Sequence, residues 1–180
     1  MEKNVTYIAL FAALIAVLGL VPQITLATGV PITAQSLGVM LCGTILGARR
    51  GFLAALLFIA LVALGLPLLS GGRGGLGVFQ GPSVGFIIGF PIAAFVTGFI
   101  VEKSNVDLGA ASFAGAVLGA VVVLYLFGIS GMAIMLGKSW PAAAVLVTAY
   151  IPGDLVKCVM AALITQGLAK IRPAAVLSRP

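Results

Sequence analysis

Two ionisable side chains stand where water is scarce. Asp154 and Lys157 interrupt an otherwise apolar run near the C-terminus, YIPGDLVKCVMAAL. A spacing of three residues places the carboxylate and the ammonium on one helix face. Each such charge near a bilayer centre costs about 2.5–3.5 kcal/mol, so the pair carries about 5–7 kcal/mol before pairing. Pairing recovers part of this, but an apolar pair would be cheaper. Two readings follow: an inert salt bridge that fixes helix packing, or a polar site for a ligand. The site reading is preferred because pairing alone does not account for the charges being there.

Other residues with usable chemistry lie nearby or in loops. Tyr150 precedes Asp154 by one turn on the same face, though it also suits an interfacial aromatic. The stretch 70–82, SGGRGGLGVFQGP, invites a phosphate-cradle reading, which fails: no Lys-Ser/Thr follows the glycines, and GGRGGLG is not GxGxxG after a strand. What remains is a tight loop with one cation, Arg73. Gly72, Gly74 and Gly75 let backbone approach a ligand closely. Phe79 offers a stacking face and Gln80 an amide partner, the plain alternative being a flexible connector. Thr33 and Gln35, beside another loop, are further hydrogen-bonding candidates. A carboxylate accepts N–H donors, and a cation binds a carboxylate or a polarised carbonyl. The complementary ligand is small and amphipathic, part acid and part cyclic amide or urea.

Whole reaction classes drop out. With no histidine in 180 residues, Ser-His and Cys-His catalysis, HExxH zinc sites and histidine-ligated haem are excluded. No metal or cofactor site is expected. Cys42 and Cys158 fall in apolar runs without a CxxC and read as small core residues. Asp154 and Lys157 as acid and base, without a nucleophile, make a poor enzyme.

Lipid must position these residues. The chain is 62% hydrophobic and 8% charged, against about a quarter charged in a soluble domain. Spans are expected at about Val5–Val21, Ala34–Ala48, Gly51–Leu69, Ser83–Val101, Leu108–Phe127 and Pro141–Ala169. Stretches 22–33, 70–82 and 128–140 read as loops, the last with room for a short helix. Pro152-Gly153 interrupts the sixth span, a break tolerated where backbone lines a cavity. The fold expected is all-α, one transmembrane domain over 1–180 with six helices. No small-residue cleavage site follows Lys3, so the first run reads as a permanent helix.

An even number of spans puts both termini on one side. Lys3, Arg49, Arg50, Lys103, Lys170, Arg172 and Arg179 then share that side, with Arg73 and Lys138 opposite. This asymmetry marks the termini as cytoplasmic. It also explains the net charge of +6 by topology, without invoking nucleic acid. Glu2, Glu102 and Asp107 read as solvated surface. In the first span, Ala9 with Ala13 and Ala12 with Ala16 lay alanines along one face, permitting a partner helix to dock closely, or simply serving internal packing.

Three stretches resemble the BioY family, the biotin-specific S components of energy-coupling factor (ECF) transporters. They are GVPITAQSLGVMLCGTILGARRG (29–51), ALGLPLLSGGRGGLGVFQGPSVGFIIGF (63–90) and YIPGDLVK (150–157). The likeness covers nearly the whole chain. It implies a six-helix bundle opening outward, in a bacterial cytoplasmic (inner) membrane, that binds biotin with Asp154, Lys157 and the outer loops. Asp154 is then expected to accept from the ureido N–H groups. Lys157 is left to bind the ureido carbonyl or to buttress Asp154, with Arg73 a candidate for the valerate carboxylate. The family also implies a transmembrane coupling (T) protein, docked on the alanine face, and cytoplasmic ATPase subunits that alone use ATP, since this chain has no P-loop. An S component for a different vitamin, a biotin transporter without a dedicated ATPase module, and a purely structural bundle remain the alternatives.

Overall fold

The computed structural model describes residues 2–24 and 29–179. Of the first loop, residues 25–28 lie outside the described residues. Among the described residues six helices follow in chain order: α1 Glu2–Leu18, α2 Gln35–Leu46, α3 Ala48–Ala63, α4 Val84–Lys103, α5 Leu108–Leu136 and α6 Trp140–Ile171. The described residues contain no strand, only isolated antiparallel bridges between Ile24 and Ile32 and between Leu69 and Arg73.

Helices α4, α5 and α6 are long and apolar enough to cross a membrane. At twelve residues, α2 rises about 18 Å, short of a hydrocarbon core of about 30 Å. It is tolerated because every one of its residues is buried, with α1, α3, α4 and α6 packed around it. Its backbone ends meet protein instead of lipid, as a bilayer demands. The C-terminal segment closes one end. The backbone N–H groups of Leu177 and Ser178 donate to the Ile45 carbonyl at 2.7 and 3.0 Å. Ser178 Oγ donates to the Thr44 carbonyl at 2.6 Å.

Small residues set the helix spacing. A Cβ on Gly43 of α2 would stand 2.6 Å from the Ala94 carbonyl of α4, and one on Gly131 of α5 would stand 2.6 Å from the Gly85 nitrogen of α4. Such closeness is how transmembrane helices gain packing energy without a hydrophobic drive between them.

The expected loop over 128–140 is corrected. α5 runs unbroken to Leu136, passing through a π-helical segment at Val117–Val123, and only residues 137–139 connect it to α6. Gly128 and Gly131 are contact surfaces toward α4, not helix breakers. Gly137, with φ of 61°, ends the helix in the left-handed conformation. Arg49 and Arg50 begin α3 instead of ending the second span, because Gly47 turns the chain within one residue at φ 84°. The third span stops at Ala63, earlier than Leu69.

The alanines of α1 do not share one environment. Ala12 is buried and Ala16 partly so, while Ala9 and Ala13 are exposed. The helix packs inward through Phe11, Ala12 and Ile15, so the alanine stripe straddles the edge of that contact. Two acidic residues at the same end of the bundle cap helices. Glu102 Oε1 accepts from the Ala48 N–H at 2.9 Å, opening α3. Asp107 Oδ1 accepts from the Gly109 N–H at 2.8 Å, opening α5.

Candidate functional site

The break in α6 builds the site. A 3-10 turn at Thr148–Tyr150 precedes a fresh α-helical start at Ile151. Pro152 sits in the new first turn, where its missing N–H would have had no partner. Asp154 also falls in that turn. The positive end of a helix dipole favours a carboxylate there, which offsets part of the cost of burying one.

Asp154 anchors a closed polar network. Lys157 Nζ lies 2.8 Å from Asp154 Oδ1, and Ser36 Oγ donates to the same oxygen at 3.2 Å. Tyr125 Oη donates to Oδ2 at 2.7 Å. The ammonium also donates to the Thr33 carbonyl at 2.7 Å and to Ser36 Oγ at 2.9 Å. A lysine has three N–H donors, and these three acceptors match them. A carboxylate has about four acceptor sites, of which Asp154 commits three. The carboxylate therefore keeps capacity for an incoming donor while the ammonium is fully engaged.

This network borders a cavity of about 70 Å³. Its floor carries Asp154, Lys157 and Ser36. Phe86, Ile87 and Phe90 of α4 and Leu124 of α5 form an apolar wall, and Val30–Thr33 with Leu69 and Arg73 come from the two loops. Tyr150 lines it as well, its hydroxyl donating to the Val30 carbonyl at 2.8 Å. Phe86 packs between Tyr125 and Tyr150, ring centroids 6.3 and 6.0 Å away. One face of the cavity is thus charged and the other aromatic.

Of the residues singled out by sequence, Asp154, Lys157, Tyr150, Arg73, Thr33 and Gln35 line this cavity. Gln35 does so as a brace. Its Nε2 donates to the Ile15 and Leu68 carbonyls at 3.1 and 3.0 Å, and its Oε1 accepts from the Ser70 N–H at 3.0 Å. Gly72, Gly75, Phe79 and Gln80 are not among its lining residues. Gly71 and Gly72, at φ of 79° and 70°, make the tight turn that pairs Leu69 with Arg73. Gly75, at φ 77°, precedes a 3-10 turn over Leu76–Gln80, which packs Phe79 against the core and leaves Gln80 exposed. Arg73 is thereby presented by the hairpin, its Nε donating to the Ser70 carbonyl at 3.2 Å.

Sequence reasoning missed Ser36, Tyr125, Phe86 and Phe90. Tyr125 had a signal: it is the lone hydroxyl in VVVLYLF, and a tyrosine in mid-span needs a partner. Ser36 follows Gln35 directly. The two phenylalanines carry no mark distinguishing them from core.

An all-helical membrane bundle with a half-polar, half-aromatic cavity at one end defines a solute-binding membrane protein. A profile of the BioY family matches residues 2–174, and the chain belongs to that family. It is 52% identical over 190 residues to the biotin transporter BioY of Rhodobacter capsulatus, covering 99% of this chain and 100% of that one. It is 48% identical over 169 residues to the biotin transporter BioY of Rhizobium etli, covering 90% of each. The crystal structure of the S-component for biotin from an ECF-type ABC transporter superposes with a TM-score of 0.88 at 30% identity, covering 94% of this chain and 92% of that one. These relatives are transporters.

Proposed function

We propose that this protein is the membrane-embedded S component of an ECF-type transporter, taking up biotin through the cavity beside Asp154. The observation that carries the reading is the Asp154–Lys157–Tyr125 network facing an aromatic wall, in a chain whose relatives are named biotin transporters. Biotin's ureido ring offers N–H donors to the acceptor capacity Asp154 retains. Its bicyclic body suits Phe86 and Phe90. The valerate carboxylate pairs with Arg73, the cation supplied by the outer hairpin. Lys157 buttresses Asp154; its three donors already have protein acceptors at bonding distance.

An apolar cavity of about 150 Å³ takes one benzene ring, so about 70 Å³ is too small for a bicyclic ligand with a side chain. The loop segments 29–33 and 69–83 part to admit it. The membrane is the bacterial cytoplasmic one, with both termini on the cytoplasmic side, as the seven basic residues at that end favour. A transmembrane coupling protein and cytoplasmic ATPase subunits complete the transporter, α1 docking the former through its exposed Ala9 and Ala13.

Equilibrium binding to purified protein in detergent tests the ligand. Biotin is expected to bind more tightly than any other vitamin in a panel. Tighter binding of another vitamin would overturn the assignment of biotin while leaving the S-component reading, whereas saturable binding of none would remove both. Co-purification with coupling and ATPase subunits tests the partners.

A further inference from the structure

A second concavity lies at the opposite end of the bundle from the ligand cavity. It measures about 790 Å³ and is bordered by the start of α1, the first turns of α3, the end of α4 and the C-terminal segment. Its lining has two chemically distinct parts. Arg49, Arg50 and Lys103 supply three cations, and Glu102 the single carboxylate. One Glu102 oxygen is occupied in capping α3. Arg50 Nη1 is occupied by the Leu46 and Leu177 carbonyls. Arg49 and Lys103 are exposed and have no hydrogen-bond or ion-pair partner among the described residues. Toward the membrane the lining turns apolar: Leu53, Phe95 and Phe99 are 46%, 39% and 47% exposed. The Phe95 and Phe99 rings stack at 6.2 Å, with Phe52 edge-on to Phe95 at 6.5 Å.

We infer that this cleft binds one anionic phospholipid, its phosphate held by Arg49 and Lys103 and its acyl chains lying along Leu53, Phe95 and Phe99. The charge is complementary: three cations against one carboxylate leave a surplus of two, and basic pockets between transmembrane helices recruit anionic head groups. The apolar trough running from that charge selects an amphipathic ligand over a free phosphate. Long basic side chains reach toward a head group while their stems lie on apolar surface. The inference depends on the protein being membrane-embedded, and on neither the identity of the transported solute nor its coupling partners.

Native mass spectrometry of delipidated protein, supplied with an equal mixture of phosphatidylglycerol and phosphatidylcholine of identical chains, tests this. Phosphatidylglycerol is expected to be retained preferentially. An Arg49→Gln/Lys103→Gln variant is expected to lose about thirtyfold in phosphatidylglycerol retention, with phosphatidylcholine unchanged. Leu53→Trp, which fills the trough but keeps the charges, is expected to lower phosphatidylglycerol retention too. Unaltered thermal midpoints would establish that both variants are folded. The inference fails if wild type retains the two lipids equally, as for a cleft covered by a protein partner. It fails as well if the double variant keeps its preference, or if glycerol phosphate displaces phosphatidylglycerol as well as the intact lipid does.

Discussion

Tyr125 Oη stands 2.7 Å from Asp154 Oδ2, the carboxylate oxygen that Lys157 does not use. One carboxylate is therefore held from three helices, α2 through the Ser36 hydroxyl, α5 through the phenol and α6 through the ammonium. Its plane is fixed before any ligand arrives, and a preorganised acceptor binds without spending affinity on ordering itself.

Asp154→Asn keeps the size of the side chain but removes the charge-assisted acceptor and leaves Lys157 without its counter-ion. Biotin binding is expected to weaken by about 2–5 kcal/mol, the range for breaking a buried charge pair. Titration of the detergent-solubilised variant measures it. Wild-type affinity there would rule Asp154 out of the site.

Tyr125→Phe removes one hydrogen bond to a buried charge and no cavity-lining surface. Thermal unfolding is expected to show a loss of about 1.5–3 kcal/mol, with a smaller drop in biotin affinity than Asp154→Asn gives. If neither quantity moves, Tyr125 does not position the carboxylate.

Gln35→Leu is close in volume but strands the Ser70 N–H and two backbone carbonyls that the amide now serves. A destabilisation of about 1–3 kcal/mol is expected, read as a lower thermal midpoint. The hairpin that presents Arg73 should become accessible to protease. A midpoint equal to wild type would mean the brace carries no load.

Arg73→Ala is expected to weaken biotin binding by about 1 kcal/mol or less, because a cation near water is screened. The gap between wild type and variant should narrow as salt rises. A loss that equals that of Asp154→Asn and is insensitive to salt would place Arg73 in a dry site.

Arg179→Ala tests the other end of the bundle. The guanidinium donates to the Val101, Ser104 and Val106 carbonyls, tying the C-terminal segment to the end of α4. The variant should lose about 1–2 kcal/mol of stability with biotin affinity intact. A change in affinity instead would reveal coupling between the two ends.

Composition and short spacing are enough to set the solvent and the main polar site. Too few charges to face water require lipid, basic residues sort to one end, and Asp154 with Lys157 is conspicuous in an apolar run. These are properties of local composition and short spacing, readable without coordinates. The stretch 128–140 reads as a loop for the same reason: glycine spacing alone does not say whether Gly131 breaks a helix or admits Gly85 against it. Which loop residues face the cavity depends on packing, which turns Arg73 in and leaves Gln80 out. Packing alone joined Asp154 to Ser36 and Tyr125, 118 and 29 residues away along the chain. A buried charge must be satisfied by whatever donors the packing brings near, and side chains far apart in sequence meet only once the helices have packed.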